Sequence, residues 1–162
     1  MRRAVEHQPR GHWPDDAASD CLTLGFDERH RRRRRLITDG GEAVLLDLPN
    51  AVAMADGDGL RLEDAGWLRI RAAPEPLLEI RTGSAPELAR IAWHLGNRHL
   101  AAEVRADAIL IRPDHVIEDM VQRLGAETRH LRAPFQPEGG AYEGQHQHGH
   151  AHDHDHDHGH EH

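Results

Sequence analysis

One cysteine, Cys21, stands in a chain of 162 residues. No internal disulfide can form, and a cysteine-based zinc site is excluded by count. No run of 18 apolar residues occurs, so no membrane-spanning helix is expected. The opening MRRAVEHQPRGHWPDD carries no apolar core of the secretory kind. Catalytic signatures are also missing: there is no GxSxG, no phosphate-binding loop and no cysteine framed by a histidine. Trp13, Trp67 and Trp93 read as packing residues rather than a cofactor site. These absences point to a soluble, cytoplasmic protein that is not an enzyme and has no membrane partner.

Apolar residues are scarce at one end. From Pro134 onward only Phe135, Ala141, Tyr142 and Ala151 are apolar, so any core lies before that point. Residues 134–162 hold six acids (Glu138, Glu143, Asp153, Asp155, Asp157, Glu161) and no arginine, against a net charge of −8 for the chain. The last 17 residues, HQHGHAHDHDHDHGHEH, place histidine at every second position: His146, His148, His150, His152, His154, His156, His158, His160 and His162. Neutral imidazole is a good donor to Ni²⁺, Zn²⁺ and Cu²⁺, and interspersed carboxylates attract divalent cations. Strict alternation argues against an engineered affinity tag, and a merely solvating segment has no need of nine histidines. Residues 136–162 therefore read as a disordered, His-rich metal-binding tail. An unperturbed imidazole titrates at about 6.5, so the tail loses its acidic character near pH 6.

The body divides by rhythm. Residues 1–72 read as a small all-β domain whose first 19 residues form an irregular arm. CLTLGF, RRLIT, AVLLDL, LRLE and WLRIR are short strands, separated by turn signals at Asp39-Gly40-Gly41, Asp56-Gly57-Asp58-Gly59 and Gly66. AAPEPLL (72–78), with Pro74 and Pro76, reads as a stiff linker. Residues 76–135 then give strand, helix, two strands, helix, strand. LLEIRT is the first strand. Ser84 and Glu87 form a capping box, and Leu88, Ile91, Ala92 and Leu95 make one helix face that stops at Gly96-Asn97. AAEVRADAILIRP is a hairpin; Asp114 caps a second helix with Ile117, Met120, Val121 and Leu124 on one face, and TRHLRAPF closes the set. The fold class is α+β, an all-β domain followed by a ferredoxin-like βαββαβ domain.

That order predicts a juxtaposition. The first helix ends, and the second begins, at the same end of the sheet, so His99 and His115 share one end of the domain. His115, in the first turn of a helix, is favoured in its neutral, ligand-competent form. His94 sits off the apolar face and reads as a surface histidine. One such histidine is too few for a tight site, but a two-fold homodimer doubles every ligand near its axis. The arginine run Arg31–Arg35 reads as a strand with a solvated face or a protein-docking surface. Nucleic acid is not an expected partner, because the stacking motif of RNA-recognition sheets is missing.

HLGNRH (94–99), followed by IRPDHVIEDMVQRLGA (111–126), resembles the UreE family of urease accessory proteins, nickel metallochaperones of urease maturation. DERHRRRRRLITDGGEAVLLDLPNAVAMADGDGL fits the family's N-terminal domain, and a His-rich C-terminus is common in it. The resemblance implies a homodimer in which His99 is the interface nickel ligand, with His115 matching a second metal histidine of some members. It also implies delivery of Ni²⁺ with the accessory GTPase UreG to a complex that loads apo-urease. The residue two before His115, a histidine in some members, is Pro113 here, which shifts metal binding toward the tail. A passive nickel or zinc store stands as the alternative reading.

Overall fold

The computed structural model describes residues 1–139. The tail histidines expected to bind metal, His146 to His162, therefore lie outside the described residues. Six strands build the N-terminal sheet: β1 (Arg2–Gln8), β2 (Ala18–Leu24), β3 (His30–Ile37), β4 (Ala43–Ala53), β5 (Gly59–Leu62) and β6 (Trp67–Ala72). Their spatial order is β2-β6-β5-β1-β4-β3. β1 with β4 and β2 with β6 are parallel, and the other neighbours are antiparallel. Alternation decides what is buried: Val44, Leu46 and Leu48 point inward from β4, as do Leu22 and Leu24 from β2 and Leu68 and Ile70 from β6. One apolar cluster draws side chains from all six strands, so the sheet curls around a single core.

The irregular arm expected over residues 1–19 is instead largely structured, because β1 lies inside the sheet between β4 and β5. Its sequence, RRAVEHQ, hides the strand because only Ala4 is fully buried. The polar side chains are satisfied across the sheet: Arg2 by Asp64 at 2.7 Å, Arg3 by Asp47, and His7 by Asp58 at 2.7 Å. Trp13 also belongs to the domain, stacked on Trp67 with ring centroids 5.4 Å apart. Its ring lies on Gly59, where a Cβ would fall 2.6 Å from Trp13 Cγ, so only glycine fits. Asp58 is buried beside it and accepts the backbone amides of Arg10 (2.9 Å) and Ala55 (2.8 Å). Burial acts to raise the Asp58 carboxyl; hydrogen bonds from His7 and these amides outweigh it and hold the group below the ordinary carboxylate value.

The expected linker is also strand. β7 (Pro74–Arg81) follows β6 with only Ala73 between them, and it pairs along its whole length with β10 (Glu127–Pro134). Pro74 and Pro76 are tolerated because β9 (Ile109–Ile111) pairs only with Leu78–Ile80, so the prolines' missing donors cost no bond on that side. With β8 (Ala102–Val104), the sheet order is β10-β7-β9-β8, antiparallel throughout, as a ferredoxin-like βαββαβ unit requires. Helices α1 (Ala85–Asn97) and α2 (His115–Arg123) cover one face. Leu88, Ile91 and Leu95, with Ile117 and Val121, pack there on Leu78, Ile80, Ile109 and Ile111. Each such burial contributes roughly 1.5–3 kcal/mol.

The other face of this sheet meets the N-terminal domain. Leu77, Leu110 and Phe135 pack there with Phe26, whose ring meets Phe135 edge-on at 5.4 Å. Glu75 accepts the Phe26 amide at 3.0 Å, and Arg112 binds Asp27 at 2.9 Å while its guanidinium covers the Phe26 ring. Arg29 is only 4% exposed and donates to the carbonyls of Met54 and Phe135, while its Nε finds no partner among the described residues. Burial lowers its pKa, opposed by the field of Glu75, Asp56, Asp58 and Glu103.

Candidate metal centre

Both helix termini near the candidate histidines follow from local chemistry. Asp114 caps α2, its Oδ1 accepting the amides of Val116 (2.9 Å) and Ile117 (3.1 Å). His115 is thereby the first helical residue, exposed beside the positive end of the helix. At the other helix, Ser84 accepts the Glu87 amide at 3.4 Å and its hydroxyl meets Glu87 Oε2 at 3.0 Å.

The helix α1 ends at Gly96-Asn97 as expected, with Asn97 its last helical residue. The residue that leaves the helical region is His99, with φ of 55°. Its amide donates to Gly96 O at 3.1 Å and the Leu100 amide to Leu95 O at 3.4 Å. This is the Schellman pattern, whose left-handed position ordinarily belongs to glycine. A histidine there is strained by about 1 kcal/mol, and its imidazole stands exposed on the turn.

The sheet register brings the two termini to one end. Ala102 pairs with Ile111, so His99, three residues before the first, and His115, four residues after the second, flank the same end of the hairpin. Among the described residues, however, no three His, Cys, Asp or Glu side chains converge closely enough to hold an ion. His99 and His115 are therefore exposed donors, not a closed site.

Two features escaped the sequence. His99 lines a groove of about 550 Å³ between the domains, together with Phe26, Arg29, Met54 and His30 from the N-terminal half. His30 is brought there by tertiary packing alone. Chain segment 136–139 forms another wall: the Gln136 amide donates to Glu103 Oε2 at 3.1 Å, and the Glu138 amide to Ala102 O at 2.8 Å. The polypeptide thus crosses beneath the sheet after Phe135 and emerges beside the His99 turn.

The second feature is apolar exposure. Trp93, expected to pack, is 65% exposed on α1, touching only His94 edge-on among aromatic rings of the described residues. On α2, Val116 is 62% exposed, and Leu124, expected on the buried face, is 46% exposed just past the helix. The heptad-like spacing on α2 is wide enough for Ile117 and Val121 to take the core while Val116 and Leu124 stay outside.

Residues 3–73 match the family description "UreE urease accessory protein, N-terminal domain", and residues 75–162 match "UreE urease accessory protein, C-terminal domain". The chain is similar to the urease accessory protein UreE of Rhodopseudomonas palustris strain BisB18, 52% identical over 142 residues, 88% of this chain and 67% of the relative. It is 52% identical over 128 residues to that of Chelativorans sp. strain BNC1, covering 79% and 81%, and 48% identical over 144 residues to that of Beijerinckia indica, covering 89% and 83%. Two consecutive domain matches that span the folded body and the His-rich segment, with relatives near half identity, place this chain in the UreE family of urease accessory proteins, non-enzymatic chaperones.

Proposed function

We propose that the protein is a cytoplasmic nickel metallochaperone of urease maturation. It collects Ni²⁺ on the histidines from His146 to His162, holds one ion at a dimer axis through His99 of both protomers, and passes it on. The observation that carries this reading is the exposed imidazole of His99 at a strained turn where glycine is the cheaper residue. Strain kept at an exposed side chain supports a role for that side chain. The exposed Trp93, Val116 and Leu124 favour burial against a second copy, and an isologous dimer supplies the second imidazole that one chain lacks. His115 is placed to add a donor from the same end.

Neutral imidazoles exchange ions more readily than buried thiolates, which suits transfer. The receiving partners in this reading are the accessory GTPase UreG and the urease apoprotein complex. Imidazole also accepts Zn²⁺ and Cu²⁺, copper most tightly, so nickel selectivity comes from supply and partner. Calorimetry tests the assignment: His99→Ala is expected to abolish the single tightest site per dimer, while deletion of 146–162 lowers the number of ions bound. Unchanged tight binding in His99→Ala would sink the interface assignment. The nine alternating histidines also fit a passive nickel or zinc buffer. Measuring nickel incorporation into apo-urease at constant total nickel separates the two, since a buffer lowers it and a courier raises it.

A further inference from the structure

Arg29 stands immediately before β3, on the N-terminal wall of the groove that His99 lines from the other domain. Its Nη1 donates to the Met54 carbonyl at 3.2 Å and its Nη2 to the Phe135 carbonyl. A guanidinium has five N–H bonds, so these two leave donors over, and Nε–H meets no acceptor among the described residues. A cation that is 4% exposed and incompletely bonded is costly to keep.

The chain holds four carboxylates whose field bears on Arg29, but each is engaged elsewhere. Glu75 accepts the Phe26 amide at 3.0 Å, and Asp56 accepts the Ala72 amide at 2.9 Å. Asp58 is taken by His7 and two amides, and Glu103 by Arg105 and the Gln136 amide. Among the described residues none of them is an ion-pair partner of Arg29, so they sustain its charge without filling its donors.

The groove has the capacity of a small-molecule site, about 550 Å³. Phe26 and Met54 give it apolar walls, and His30 and His99 share it with Arg29, against one lining acid, the exposed Glu138. An extended peptide would bring backbone donors and acceptors onto walls that cannot satisfy them. A short chain of methylenes with a carboxylate at each end suits both the walls and the basic groups.

We infer that the groove binds a short dicarboxylate, one end on the free N–H bonds of Arg29 and the other toward His30 and His99. A carboxylate matches the planar fork of a guanidinium better than other anions of its size do. With Ni²⁺ on His99, the second carboxylate becomes an oxygen donor to the ion, and acid and ion then reinforce each other's binding. That coupling rests on the proposed role of His99, whereas uptake of the acid by the metal-free groove does not.

Succinate is the probe, followed by NMR on the full-length, metal-free protein near pH 7.5, where imidazoles are largely neutral. The amides of Phe26, Met54 and Leu100 are expected to shift and saturate with succinate, and butyrate, with one carboxylate, to bind about tenfold more weakly. Arg29→Gln should abolish the response. Because that change also removes bonds between the domains, Ala53→Trp serves as the second variant: it fills the groove from an exposed position and leaves the Arg29 bonds intact. Succinate shifts that persist in Ala53→Trp, or inorganic phosphate binding as tightly as succinate, overturn the assignment. At fixed free Ni²⁺, saturating succinate should raise nickel affinity about tenfold, and nickel should tighten succinate by the same factor. An equal gain in Ala53→Trp, or no gain in the native chain, overturns the coupling. Tight nickel binding at His99 with no succinate bound overturns the inference and leaves the chaperone reading standing; succinate bound in a chain whose tight nickel site survives His99→Ala does the reverse.

Discussion

The two helices of the ferredoxin-like domain end in the same hydrogen-bond pattern with different residues. After α2, the Gly125 amide donates to Gln122 O at 3.0 Å and the Ala126 amide to Val121 O at 3.0 Å, with Gly125 at φ of 94°. After α1, His99 and Leu100 make the equivalent bonds to Gly96 and Leu95, with His99 at φ of 55°. One terminus carries the residue that the backbone prefers, and the other carries a residue that it disfavours. Both turns are exposed, so packing does not explain the exception. The difference separates a turn that only closes a helix from one that displays a side chain.

The largest expected effect removes the displayed group and keeps the turn. Asparagine enters the left-handed region more easily than most residues, so His99→Asn should fold as the native chain does. Its tightest metal site is expected to weaken at least 100-fold in calorimetry, about 2.7 kcal/mol. An affinity within threefold of native would mean that the backbone at position 99, not the imidazole, is what matters.

The next effect comes from the start of α2. Asp114 holds two amides and sets His115 as the first helical residue, so Asp114→Ala should cost about 1 kcal/mol in chemical denaturation. Ser84→Ala should cost less, because its amide contact is long at 3.4 Å. Equal losses at the two caps would remove the distinction between them.

How far these features could be read from sequence depends on where the deciding force lies. Both N-caps, the helix faces and the strand order of the C-terminal domain were legible, because capping chemistry and periodicity are local. The meeting of His99 and His115 at one end followed from topology alone. β1 was not legible: RRAVEHQ buries only Ala4 fully, and its charges are satisfied by Glu42, Asp47, Asp58 and Asp64, all distant in sequence. LLEIRT was legible as a strand, but the start of β7, Pro74 to Pro76, was misread as linker because the prolines fall where β9 does not reach. The end of α1 at Gly96-Asn97 was legible, but the left-handed conformation of His99 just beyond it was not. His30 joined His99 only through packing between domains.

Gly125→Ala probes the ordinary terminus. Nothing lies within 4 Å of where the new Cβ would sit, so the only penalty is the left-handed backbone, about 1 kcal/mol. Metal stoichiometry and affinity should not move. A loss of metal binding in this variant would show that the second terminus is functional too.

The smallest effect has the opposite sign. His99→Gly relieves the strain at position 99 while retaining both hydrogen bonds of the turn, since each uses only backbone atoms. The extra freedom that glycine gives the unfolded chain offsets much of the gain, leaving a stabilisation of a few tenths of a kcal/mol, at most roughly 0.6. Measured without metal, the denaturation midpoint should therefore rise slightly above native. With nickel present the order should reverse, because only the native chain gains stability from binding at position 99. A crossover of that kind separates a residue selected for its side chain from one tolerated in a forgiving turn. A His99→Gly variant no more stable than native without metal would place the strain elsewhere and return the two helix ends to equivalence.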